Sequence, residues 1–286
     1  MRSASKLDGG SWAERATLRF GDLLRAYHRH ELLGVEHLQT ALGSGRPVLL
    51  VGNHVMDAAD PIMLRAAVHR ACGSSLPFIG HEMLLFRAPG VRSLVASAGV
   101  VPSRSLELAA RVLREQGVLM VYPGAGMEAG LRSYRREPYR LKWYERLGFV
   151  ELALRARATL LFVAGVGIDE MYYQTDFAVP PALFRLFDDE YVDSYRGLRV
   201  QLGAAGVHVL PGVFPLPVKV THEISAPLPL PSVDSSNRDE LERAQVDLWA
   251  QCQTLLDVAV ATRDHRSDWL DAAVRCGALA LQSLGL

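Results

Sequence analysis

Short continuous apolar runs alternate along this chain with segments whose apolar residues recur every three or four positions. Pro47 to Gly52 (PVLLVG) is the first such run, the pattern of a strand buried on both faces, and Asn53 and His54 follow at its C-terminal end. From Asp60 the spacing turns helical, with Ile62, Met63, Ala66, Ala67 and Cys72 apolar. Asp60-Pro61 supplies an N-cap and a proline in the first helical position. The alternation then predicts strands over Leu76 to Gly80, Val118 to Tyr122 and Leu160 to Ile168, and helices over Val91 to Ala98, Leu106 to Gln116 and Phe149 to Ala156. Strands separated by helices imply an α/β fold with a mostly parallel central sheet flanked by helices.

The flanks read differently. Ser11 to Leu42 has helical spacing, with Leu18, Leu23, Leu24 and Tyr27 on one stripe and a short extended piece near Leu32 to Glu36. Met171 to Arg199, rich in aromatics and Asp, has no assignable period, and VKVTHEI between Pro215 and Pro227 reads as a strand. Beyond the Pro/Ser-rich connector to Ser236, Asn237 and Glu240 resemble a capping box. The stripe Leu241, Ala244, Leu248, Cys252, Leu255 and Ala259 then predicts a long C-terminal helix. The expected organisation is one domain overall: a helical lead-in (1–45), an α/β core (46–230) and a C-terminal helical segment (231–286).

Composition narrows the class. The 286 residues are 49% hydrophobic and 22% charged, and Lys+Arg equals Asp+Glu at 31 each, which argues against a general nucleic-acid binder. Cys72, Cys252 and Cys276 are far apart without metal-ligand spacing and read as reduced core residues of a cytoplasmic protein. Met1 to Arg15 is polar and lacks the pattern of a signal peptide, so no export is expected. No stretch reaches the roughly 20 apolar residues of a spanning helix; Val150 to Ile168 is broken by Glu151, Arg155 and Arg157. Chemistry on lipids would therefore be done from the membrane surface.

The segment that carries chemistry is GNHVMDAADPIML, residues 52–64. It puts a histidine at the end of a buried strand and an aspartate at the start of the next helix, the sheet edge where ligands gather in open α/β folds. A turn could bring the Asp60 carboxylate to one nitrogen of His54, fixing its tautomer and stabilising the imidazolium formed when the other nitrogen takes a proton. The competing reading makes His54 a turn residue and Asp60 only a helix cap.

Gly124, Ala125 and Gly126 follow a strand, where small residues let backbone N–H groups approach a ligand and steady an oxyanion. Their alternative role is a tight turn, and Pro123 argues against a dinucleotide loop. Arg132, Arg135, Arg136, Arg140, Lys142 and Arg146, interleaved with Tyr134, Tyr139, Trp143 and Tyr144, suit an anionic bilayer or the phosphates of a coenzyme A or carrier-protein arm, or else form a solvated charged face. His81 could line the cleft, while His28, His30, His69 and His265 are expected at the surface. No metal-site spacing and no G-x-S-x-G elbow are found.

The landmarks, taken in order, resemble the glycerol-phosphate and lysophospholipid acyltransferase superfamily. Its first motif separates a histidine from an aspartate, often before proline, by four residues. Here five residues separate His54 from Asp60, which is similar to the diacylglycerol-acyltransferase-like branch; Asp57 competes as partner, and Pro61 with its apolar helix favours Asp60. Gly34-Val35-Glu36 resembles the Gly-X-Glu before the first strand, and Gly99 to Arg104 the second motif, whose arginine approaches the acceptor's head. Tyr122 to Ala129 resembles the third motif, and Ala164 to Ile168 takes the place of the fourth. The likeness runs from about residue 30 to 230.

The resemblance implies acyl transfer from acyl-CoA or an acyl carrier protein to the hydroxyl of a glycerolipid, lysophospholipid or other lipid alcohol. No metal or organic cofactor is implied. His54 and Asp60 would be catalytic, and Asn53, Arg104, Pro123, Gly124, Ala125, Gly126, Glu128 and Arg132 would bind substrate, on the inner face of a membrane. Phosphate-recognising members carry a Glu after the third-motif proline and a Thr-Arg pair. This chain lacks both, which makes a neutral alcohol comparably suited as acceptor. A catalytically silent lipid-binding protein and a lipid thioesterase or hydrolase are the alternatives.

Overall fold

The structure is a computed structural model that describes residues 11–55, 59–80, 99–103, 105–128, 132–143, 145–178, 199–204, 206–208, 215–231, 233–234 and 237–263. In chain order its elements are α1 (Trp12–Tyr27), β1 (Glu31–Leu33), α2 (Val35–Gly43), β2 (Val48–Gly52), α3 (Ala59–Cys72), β3 (Phe78–Gly80), β4 (Val100–Pro102) and α4 (Leu106–Gln116). They continue with β5 (Val118–Val121), α5 (Gly148–Ala156), β6 (Thr159–Val166), β7 (Tyr173–Ala178), β8 (Arg199–Gly203), β9 (Gly206–His208), β10 (Thr221–Ile224) and α6 (Arg238–Thr262).

A seven-stranded sheet runs β1-β10-β6-β2-β5-β3-β4. The five strands from β6 to β4 are parallel, β10 pairs antiparallel with β6, and β1 lies parallel to β10 at the edge. The expected α/β class, with a mostly parallel sheet, is the observed one. β2 lies near the centre, with Val48 opposite both Val118 and Thr159, and its residues alternate between two cores. Leu49 and Val51 face Leu113, Phe149, Phe162 and Leu248 under α4, α5 and α6. Val48 and Leu50 face Leu38, Leu64, Val68 and Leu161 under α2 and α3. Burial on both faces is why this strand reads as an uninterrupted apolar run.

Three local expectations change. The extended piece expected near Leu32 to Glu36 is edge strand β1 at Glu31–Leu33, and Val35 and Glu36 instead open α2. This helix begins immediately after Gly34, whose φ of +67° and missing side chain suit a site where a Cβ would lie 2.1 Å from the Ile224 carbonyl oxygen. The unassigned stretch after Met171 contributes β7 and β8 to a separate antiparallel sheet with β9. Asp60 lies inside the first turn of α3 rather than before it as a cap; two imidazoles compete for its carboxylate. The helix expected over Val91 to Ala98 lies outside the described residues. Asn237 caps α6 by accepting from the Glu240 amide, but the box is not reciprocal. The Asn237 N–H donates to the Asp234 carbonyl, and the Glu240 carboxylate takes the Asp234 N–H and the Asn237 side-chain amide.

Candidate active site

The site forms where β2 ends. A Cβ on Gly52 would lie 2.7 Å from Met120 Cε and 2.9 Å from the Val163 carbonyl oxygen, so the strand leaves the sheet through a residue without a side chain. Asn53 then ties the end of β2 to β6: its Nδ2 donates to the Gly165 carbonyl at 2.8 Å and its Oδ1 accepts the Gly165 N–H at 2.7 Å. Both ends of this buried amide, which the resemblance assigned to substrate, are engaged by Gly165.

His54 is held in three ways. Its backbone N–H donates to Glu128 Oε1 at 2.7 Å, and its ring stacks on Tyr122 with centroids 4.4 Å apart. Its Nδ1 lies 3.5 Å from Asp60 Oδ2, longer than a hydrogen bond and of the kind that tightens when the imidazole becomes charged. Nδ1 is buried although the side chain keeps 21% exposure, so the open part of the ring is the part away from Asp60. That is the geometry of a base whose other nitrogen faces a substrate.

Asp60 has a second histidine that the sequence reading did not find. His222 Nε2 lies 2.7 Å from Asp60 Oδ1, His222 Nδ1 lies 2.7 Å from His30 Nε2, and Arg25 Nε donates to His30 Nδ1 at 3.3 Å. His30 and His28 were expected at the surface, yet both are buried: burial lowers His30 to about 2 and His28 to about 4, the latter with Nδ1 2.9 Å from the Val218 carbonyl oxygen. Burial alone would raise Asp60, but the donors His222 and His54 outweigh it and hold the carboxyl at about 2. The signal for His222 was present in VKVTHEI, where strand alternation puts it in phase with Val218, Val220 and Ile224, all buried.

The Tyr122 to Glu128 loop wraps under His54. The Ala125 amide donates to the Tyr122 carbonyl, and the Met127 and Glu128 amides donate to the Gly124 carbonyl; among the described residues the Gly124 and Gly126 amides take no part in these turn bonds. A Cβ on Gly124 would meet the Glu128 carboxylate at 2.3 Å, so glycine there lets Glu128 fold back against the loop. Glu128 is fully buried, accepting from His54 and also from the Lys142 amide at 3.0 Å. Burial pushes it up to about 7 against the pull of Arg132 and the two amides. It thus ties the loop to the His54 and Lys142 backbone.

Arg132 likewise holds structure in place of a head group: its guanidinium is buried against Asp169 in a bidentate pair of 2.5 and 2.6 Å. The basic aromatic stretch around it is not one exposed face, because Tyr134, Tyr139 and Trp143 turn into the core. Arg135, Arg136 and Arg140 are exposed, the first two 3.5 and 3.4 Å from Asp176. Arg104, Asp57, His81, Tyr144 and Cys276 lie outside the described residues. Pro123 is buried beside Tyr122. Among the described residues no group of His, Cys, Asp and Glu has a metal-binding arrangement, and no helix is long and apolar enough to cross a membrane.

The site is thus a histidine–aspartate pair at the carboxyl edge of a parallel sheet, backed by a glycine-rich loop. Residues 30–166, from just before β1 to the end of β6, are similar to the family described as Acyltransferase. An uncharacterized protein of Mycobacterium leprae is 32% identical over 55% of this chain and 41% of its own length. The human and mouse proteins named diacylglycerol O-acyltransferase 2-like protein 6 are 28% and 27% identical over 62% and 61% of this chain, each over 53% of its own length. The chain therefore spans about half the length of the curated relatives it matches. The resemblance to the diacylglycerol-acyltransferase-like branch stands.

Proposed function

We propose that this protein is an O-acyltransferase that moves a fatty acyl group from an acyl thioester to the hydroxyl of a neutral lipid alcohol, with His54 as general base. The observation that carries the reading is the His54–Asp60 pair, with Asp60 buried and ionised behind the ring and the ring's far side open. In this mechanism His54 Nε2 removes the acceptor's proton as its oxygen attacks the thioester carbonyl. The Asp60 carboxylate stabilises the imidazolium, and the Gly124 and Gly126 amides receive the oxyanion. Collapse of the tetrahedral intermediate expels the thiolate, which takes the proton back from His54.

A neutral acceptor fits better than a phosphorylated one. Arg132 is already bound to Asp169, the third motif lacks the Thr-Arg pair, and two relatives carry diacylglycerol in their printed names. The donor is acyl-CoA or an acylated carrier protein. Trp12, Phe20 and Leu23 lie exposed on one face of α1, which suits docking at a membrane interface better than the partly inward-turned basic stretch. The test is an acyl-transfer assay with labelled long-chain acyl-CoA against diacylglycerol, monoacylglycerol, fatty alcohols and lysophospholipids, repeated with acyl carrier protein. Acylated neutral product is expected; product formed only from lysophosphatidate or glycerol phosphate would refute the acceptor assignment.

A further inference from the structure

Behind the proposed catalytic pair runs a line of polar groups whose chemistry permits one direction of hydrogen bonding. We propose that Arg25, His30 and His222 are positioning residues that fix the protonation pattern of Asp60 and thereby hold His54 with its proton on Nδ1 and a lone pair on Nε2. The proposal rests on the reading of His54 as base.

The argument is one of donors and acceptors. A guanidinium only donates, and an ionised carboxylate only accepts. Arg25 Nε, 3.3 Å from His30 Nδ1, requires a lone pair there, so the His30 proton sits on Nε2. That proton is donated to His222 Nδ1 across 2.7 Å, which puts the His222 proton on Nε2, donated in turn to Asp60 Oδ1 across 2.7 Å. Asp60 Oδ2 then faces His54 Nδ1 and calls for a donor there.

Arg25 also excludes the competing arrangement. Were His222 doubly protonated, His30 would have to accept on Nε2 and carry its proton on Nδ1, directly against the Arg25 donor. A doubly protonated His222 would neutralise Asp60 and weaken its hold on the charge His54 acquires when it takes the alcohol's proton. The charged and titratable groups facing the line are Asp22, which lies 3.5 Å from Arg25 and is paired with Arg70 at 2.5 Å, His28 beside His30, and, at the other end, His54 and the buried Tyr122 hydroxyl, both of which act on Asp60.

The fold is built to hold this line. His30 immediately precedes β1 and His222 lies in β10, the strand pair added outside the parallel sheet. His222 pairs opposite Gly165 of β6, the residue whose backbone is clamped by Asn53. Arg25 is delivered by α1, which approaches α3 so closely that a Cβ on Gly21 would lie 2.7 Å from the Ile62 carbonyl oxygen.

Ring-nitrogen NMR of the ¹⁵N-histidine-labelled protein without substrate reads each tautomer directly. The expected pattern is protons on Nε2 of His30 and His222 and on Nδ1 of His54. In Arg25→Met, at the half-buried end of the line, a doubly protonated His222 should appear, and kcat for transfer should fall about tenfold to a hundredfold with little change in KM, the usual scale for an orienting partner. Arg25→Lys, which keeps a donor, should restore both. In His222→Leu, checked for native fold, Asp60 loses the donor that most favours its ionised form, and burial favours the protonated carboxyl. Its O–H should then donate to His54 Nδ1 and leave the His54 proton on Nε2. A proton on Nε2 of His54 in the wild type overturns the proposal, as does loss of kcat in Arg25→Met with the tautomers unchanged. Transfer that survives His54→Ala sinks the base reading and the relay's catalytic role with it, whereas loss of transfer in His54→Ala beside a wrong tautomer sinks the relay alone.

Discussion

At the scale of single residues, polar side chains at this sheet edge divide into those that face the cleft and those that hold it. Asn53, Glu128 and Arg132 belong to the second group, and each makes a testable difference to stability. Arg132→Met should destabilise the fold by about 3–5 kcal/mol, because it leaves Asp169 buried without its bidentate partner. Urea unfolding measures it, and a loss below about 1 kcal/mol would show that the guanidinium is not structural. The catalytic candidates His54 and Asp60 were legible because a histidine after a buried run and an aspartate before a helix are local patterns. His30 and His222 were not, since they meet across 192 positions of sequence and only the pairing of β1 with β10 joins them. Arg132 was misread because a charge in a basic stretch looks solvated until its partner, 37 positions away, is known.

At the scale of elements, period and length sufficed wherever one element buried itself by its own pattern. β2, β5 and α4 emerged within a residue or so of expectation, since a strand buried on both faces and an amphipathic helix each impose a repeat. Failure came where position in the fold decides the role. The extended piece at β1 was legible but its bounds and its pairing with β10 were not, and the 132–143 segment is irregular, so its aromatics turn inward without any repeat to announce it. Gly34 marks the joint between β1 and α2, and Gly34→Val should cost roughly 2 kcal/mol or more from the left-handed backbone and the clash with the Ile224 carbonyl. Thermal denaturation would detect it, and a wild-type Tm would mean that the joint has room to relax. Loss of this joint should also loosen His30, three residues before β1 ends.

For the whole molecule, the buried groups set a pH dependence of definite sign. His28 and His30 titrate below their ordinary 6.5, at about 4 and about 2, so the unfolded chain takes up two protons that the native one refuses, and their stabilisation is lost as pH falls below about 6.5. Glu128 works oppositely: the native state keeps a proton up to about 7 that the unfolded chain sheds above 4.5, so its contribution declines as pH rises through that window. Asp60, depressed from 3.8 to about 2, stabilises above 3.8 and loses this only in stronger acid. Between 4.5 and 6.5 the two histidines outweigh the one carboxyl, and stability should rise with pH by about 1.4 kcal/mol per unit from these groups. Urea midpoints between pH 4.5 and 6.5 test this, Glu128→Gln should steepen the slope, and a midpoint that rises on acidification would contradict it. The central claim, that a His54–Asp60 pair transfers an acyl group, is tested most directly by the rate of transfer from labelled acyl-CoA to diacylglycerol by the wild type, His54→Ala and Asp60→Asn, each checked for native fold. The account predicts that both variants lose about a hundredfold to ten-thousandfold in kcat; transfer at the wild-type rate by a folded His54→Ala protein would contradict it.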